Sequence, residues 1–221
     1  MPNRWLRFTL EWTCVRISKT PNYVITKIRG SATVLLFLAP CAYLVWAGLT
    51  ARLGANPVEK VIHITGDWAL NFLILAIASR TLLNLSYLRW IALYHKASGR
   101  AAFLYATLHV LTYAAAEHNF SVSEILVDAA THTRIIFGTL AYASITAAVV
   151  MMGPVIIKRI SYERLRGLHK AAVYTAATTS AIHYVWLVKK DIRTPLIYGA
   201  VIAVLAAHRV ITKITEGKRP A

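Results

Sequence analysis

Acid is scarce in this chain: its 221 residues hold nine Asp and Glu against 25 Lys and Arg. Charge of either sign is low too, at 15% of residues, where a soluble domain carries about 25%. That shortage argues against an ordinary water-soluble fold. There are two cysteines, Cys14 in a basic tail and Cys41 in an apolar block. A disulfide or a metal site built on cysteine is therefore not expected. No G-x-G-x-x-G occurs, and no stretch has the features of a flavin or nicotinamide domain. A redox partner of that kind must be a separate protein. Internal repeats, low-complexity tracts and a second domain are also missing. A cleavable signal peptide is not expected, because the first apolar block starts late, runs long and lacks a small-residue cleavage site.

What is present is apolar: 57% of residues are hydrophobic and the mean hydropathy is +0.52. The hydrophobic residues fall into six blocks, 30–50, 68–88, 101–116, 135–157, 171–188 and 195–211. Each is close to the ~20 residues that cross a ~30 Å hydrocarbon core. Arg80 interrupts the second, Gly153-Pro154 marks a kink or exit near the end of the fourth, and Pro195 suits the first turn of the sixth. The net charge of +16 would also suit nucleic acid, but the basic residues cluster at the block ends. That is the pattern of the positive-inside rule. Arg89, Lys96 and Arg100 lie between blocks two and three, and Lys158, Arg159, Arg164, Arg166 and Lys170 between four and five. With the basic tail and the C-terminus they fall on one side of six spans. The expectation is an all-α membrane protein, a bundle of six transmembrane helices with both termini cytoplasmic. Residues 1–29 form a basic extension, 30–212 the membrane domain and 213–221 a cytoplasmic tail. Residues 5–17 either lie on the membrane surface or form a flexible tail.

Histidines carry the chemistry. His109 and His183 sit deep in blocks three and five, and His95 and His169 precede them by fourteen residues each. Fourteen residues is just under four helical turns, about 21 Å of rise, so both members of a pair point to roughly the same side. Two helices side by side then offer an outer layer, His109 with His183, and an inner layer, His169 with His95. His95, in the basic loop, need not be helical. An ionisable residue within a span marks function by default. Two imidazoles filling both axial positions of a haem leave no open site, which suits electron transfer rather than oxygen chemistry. Small residues such as Ala102, Ala106, Ala176 and Ala177 either admit a flat macrocycle or let helices pack closely. The competing reading of the histidines is hydrogen bonding to neighbouring helices, as in a transporter or proton pathway without cofactor. His63, His118, His132 and His208 read as surface or interfacial. Lys189, Lys190 and Arg193 follow His183 and are placed to pair with haem propionates or to dock an acidic partner. Arg100, Arg164 and Arg166 on the inner side suit a second haem or a flavin phosphate, or express the positive-inside bias alone.

Several stretches carry a resemblance: LGANPVEKVIHITGDWAL (53–70), G-x(5)-Y-A-T-L-H-x-L-T-Y-A (99–114), RLRGLHKAAVY (164–174), IHYVWLVK (182–189) and PLIYGA (195–200). In order and spacing the chain resembles the haem-binding membrane subunits of bacterial periplasmic methionine-sulfoxide reductase systems. These belong to the ferric-reductase-like transmembrane family. The resemblance implies a multi-pass protein of the cytoplasmic (inner) membrane that binds b-type haem and also FMN. It implies electrons taken from the quinone pool or a cytoplasmic flavin reductase. They pass to a periplasmic molybdenum-containing reductase that repairs oxidised methionine in proteins. The family's haem histidines match His109, His169 and His183. Where relatives carry an Arg-Arg pair before the glycine matching Gly99, this chain has His95-Lys96, which makes His95 a further candidate ligand opposite His169. The spacing from His169 to His183 is one residue longer than the family pattern. The alternative within the group is a stand-alone carrier that reduces metal ions or another outer acceptor.

Overall fold

The structure, a computed structural model, describes residues 23–82, 92–188 and 191–216. The surface-segment expectation for residues 5–17, Arg89, the anion-pairing candidates Lys189 and Lys190, and residues 217–221 lie outside them. Among the described residues every regular element is a helix. The helices are α1 (Tyr23–Leu49), α2 (Pro57–Leu82), α3 (Ala92–His118), α4 (Val122–Thr131), α5 (Thr133–Met151), α6 (Pro154–Arg159), α7 (Tyr162–Leu187) and α8 (Arg193–Glu216). Among the described residues, three are long and apolar enough to cross a membrane: α2, α5 and the Arg193–Thr212 part of α8.

The six apolar blocks correspond to the six long helices, of which α1, α2 and α7 begin well before their blocks, at Tyr23, Pro57 and Tyr162. Helix α3 begins at Ala92, so His95 is helical rather than in a loop. The fourth block breaks at Gly153-Pro154. Helix α5 ends at Met151, Gly153 takes extended angles (φ −68, ψ 144), and Pro154 opens the short α6. Proline suits that first position because its missing N–H has no partner to lose.

Packing is pairwise. Helix α2 runs along α3, and α5 along α7. The two pairs face each other through α2 with α7 and α3 with α5, while α8 covers α7 and α2, and α1 covers α3. The contacts use small residues: Ala102 and Ala177 are fully enclosed, and Ala101, Ala176 and Ala181 join them in the core. These alanines therefore serve close helix approach. Large apolar residues point outward instead, such as Leu49, Leu104, Leu111, Leu140, Ile197 and Val204. An apolar outside around a small-residue inside is the arrangement a bilayer favours, with backbone polar groups satisfied within helices.

Pro40 lies inside α1, where it removes one backbone N–H and crowds the preceding turn. Tyr105 of α3, fully buried, repairs the turn. Its hydroxyl accepts from the Cys41 N–H at 2.9 Å and donates to the Phe37 carbonyl at 3.0 Å. Phe72 packs between Phe37 and Tyr105, at ring separations of 4.9 and 5.3 Å.

Candidate functional site

Two helix pairs deliver one imidazole each to a common point. His109 on α3 and His183 on α7 have ring centres 6.3 Å apart and ring planes at 83°. His109 Nδ1 lies 2.9 Å from the Ile62 carbonyl of α2, and His183 Nδ1 lies 2.6 Å from the Arg134 carbonyl of α5. A carbonyl only accepts, so Nδ1 is the protonated nitrogen in both rings, and Nε2 keeps its lone pair. A backbone carbonyl holding the other ring nitrogen is the usual support of a ligating histidine. Two metal–imidazole bonds of about 2 Å each, with the two ring radii, amount to about 6 Å. The separation thus fits one ion held by both rings. Among the described residues no set of three or more His, Cys, Asp or Glu converges to hold a metal. Two imidazoles suit an ion that brings its own equatorial ligands, as haem iron does.

The second pair lies in a cavity of about 860 Å³ between α2, α3, α5, α6, α7 and α8, lined by both His95 and His169. His95 repeats the pattern of the outer pair, with Nδ1 2.8 Å from the Ala76 carbonyl. Apolar side chains such as Leu73, Ile145 and Val173 line it together with seven cations: Arg80, Lys96, Arg100, Lys158, Arg166, Lys170 and Arg209. No acidic residue lines it among the described residues. A volume of this size is typical of cofactor pockets. An apolar lining with cationic side chains suits an anion with apolar bulk. Arg100 and Arg166 line this cavity, whereas Arg164 is exposed and does not.

Other histidines divide differently. His63 is exposed, 3.7 Å from Glu59 one turn earlier, and His208 is exposed near the end of α8. His118 and His132 converge on Asp128 of α4. His118 Nε2 lies 3.2 Å from one carboxylate oxygen, and His132 Nδ1 lies 2.5 Å from the other. The Tyr113 hydroxyl donates to Asp128 as well. That hydrogen bond holds the Asp128 carboxyl below the usual carboxylate range; partial burial opposes it, and the bond from His118 and the charges of both histidines add to it. Arg193 is exposed, and its backbone N–H bonds Asp191.

The sequence reading passed over two features. Asp67 of α2 hydrogen-bonds Tyr184, the residue after His183, and Tyr198 of α8 bonds Asn71 one turn further along. An acid opening an apolar block was the available signal. Gly66 and Gly138 lie against the outer imidazoles, and no periodicity announces them.

The ferric reductase like transmembrane component family matches residues 65–181, just over half of the chain. That span includes His95, His109 and His169 and ends two residues before His183. The protein-methionine-sulfoxide reductase heme-binding subunit MsrQ of Herminiimonas arsenicoxydans is 35% identical over 181 residues, covering 80% of this chain and 83% of that one. The chain belongs to the MsrQ family. The MsrQ of Deinococcus radiodurans is 36% identical over 183 residues, 83% of this chain and 90% of the relative. The MsrQ of Caulobacter vibrioides is 32% identical over 214 residues, 93% of this chain and 96% of its own. MsrQ similarity therefore extends well beyond the family match. In the Caulobacter comparison it spans most of both chains.

Proposed function

We propose that this chain is a membrane b-type cytochrome that passes electrons to a periplasmic molybdenum-containing methionine-sulfoxide reductase, for repair of oxidised proteins. Its donor is the quinone pool or a cytoplasmic flavin reductase. It acts as the electron-transfer subunit of that system, while the terminal chemistry belongs to the partner. The observation that carries the reading is the outer pair, His109 and His183, 6.3 Å apart with both Nδ1 atoms tied to carbonyls. Haem bound between them would supply a one-electron couple at an iron with no open coordination position. The chain's own residues do the rest. Ile62 and Arg134 carbonyls orient the rings, and Asp67 with Tyr184 adds polar support beside His183.

In this reading six helices cross the cytoplasmic membrane with both termini inside. The outer pair then faces the periplasmic partner, and the basic cavity lies at the cytoplasmic end. A second anionic cofactor, a second haem or FMN, occupies that cavity with His169 and His95 as its histidines. The cationic side chains that line it are the observation that favours it. Arg193 remains a docking or propionate-pairing candidate on the outer side.

The test is reconstitution in lipid vesicles with the periplasmic reductase outside and reduced quinol, or a flavin reductase system, as donor. Methionine-sulfoxide reduction that depends on this chain and fails with His109→Ala supports the proposal. Haem reduction without delivery to that partner, but with delivery to ferric chelates, would instead favour the stand-alone carrier.

A further inference from the structure

The two outer histidines are held in the same way. In α2 the carbonyl of Ile62 takes the His109 N–H, and four residues later stands Gly66. In α5 the carbonyl of Arg134 takes the His183 N–H, and four residues later stands Gly138. In a helix, the N–H of residue i+4 already bonds the carbonyl of residue i. The imidazole must therefore come in beside that bond to use the carbonyl's second lone pair. A side chain at i+4 would stand in its way. A Cβ on Gly66 would meet His109 Cε1 and Nδ1 at 3.1 Å. A Cβ on Gly138 would meet His183 Cε1 at 2.9 Å and Nδ1 at 3.0 Å. By contrast, a Cβ on Gly99, Gly167 or Gly199 meets nothing within 4 Å. Both glycines sit inside helices, where glycine costs up to ~1 kcal/mol relative to alanine. The contact with the rings supplies the reason for that cost.

We propose that Gly66 and Gly138 are positioning residues: each is the missing side chain that lets an imidazole reach a helix carbonyl. Together they set the protonated nitrogen and the crossed planes of the two rings. The inference rests on the reading of His109 and His183 as axial ligands of one haem. It adds that the ring orientation is imposed by neighbouring helix backbone and not chosen by the haem.

Low-temperature EPR on the oxidised, purified full-length protein tests it, with the haem-to-protein ratio and the midpoint potential measured on the same samples. The wild type should give the highly anisotropic low-spin signal of near-perpendicular axial imidazoles. Gly138→Ala should lose that signal and part of its haem. Gly66→Ala, with the looser contact, should shift the signal less, and Gly199→Ala should match the wild type. A wild-type signal, haem ratio and potential in Gly138→Ala would overturn the proposal. Should that variant fail to accumulate, the wild type decides: the rhombic signal of parallel imidazole planes would overturn it. Absence of haem from the wild-type protein would sink the ligand reading as well. Haem lost in His109→Ala but undisturbed in Gly138→Ala would sink the glycine role alone.

Discussion

Single side chains here do work that the surrounding apolar composition hides. Tyr105 is the clearest structural case. Its hydroxyl serves two backbone groups of α1 around Pro40 and is fully buried. Tyr105→Phe keeps the ring but leaves those groups without that partner, at a cost of about 1–3 kcal/mol. Thermal unfolding in detergent should show a lower midpoint with the haem spectrum unchanged. The four histidines were legible as candidates, because a fourteen-residue spacing on two helices survives as a spacing in space. Their supports were not. Ile62 and Arg134 act through carbonyls that every residue possesses, and Gly66 and Gly138 act by what they lack. Asp67 was visible as a letter, but its partner Tyr184 lies on another helix. In the inner cavity, Arg100→Gln with Arg166→Gln should weaken retention of the inner anionic cofactor while leaving the outer haem in place. Cofactor content measured by extraction and by spectrum checks this.

At the scale of elements, apolar runs marked the six long helices, three of which are long and apolar enough to cross a membrane among the described residues. The ends were less legible. Helix α3 extends back to Ala92 through the stretch that carries His95, Lys96 and Arg100. Helix α4 fell within what hydropathy marks only as an outer loop, because ten residues are too few to register as a block. It is tied down by Asp128, which brings together His118 at the end of α3, Tyr113 of α3 and His132 at the junction with α5. The folded carboxyl lies below its ordinary value of 3.8. Its contribution is therefore complete above that value and is lost as pH falls through the lower folded one. Limited proteolysis of the α4 segment should accelerate only under strongly acidic conditions. Asp128→Asn should show the faster cleavage already at neutral pH.

For the whole molecule, the described residues form two helix pairs facing each other, with one histidine layer toward each end, α1 and α8 outside, and the shorter α4 and α6 leading into and out of α5. Under the proposed function, electrons would enter at the cationic cavity and leave from the crossed imidazole pair. Reporter fusions after residues 30 and 216 should both report the cytoplasm, and one inserted between Glu117 and His132 the periplasm. The central claim is that His109 and His183 are the two axial ligands of a single haem. The measurement that tests it most directly is the haem-to-protein ratio, with reduced-minus-oxidised spectra, of wild type, His109→Ala and His183→Ala. The account predicts that the two substitutions remove the same spectral component to the same extent, with any inner component retained. Full haem content in both variants, or the loss of two different components, would contradict it.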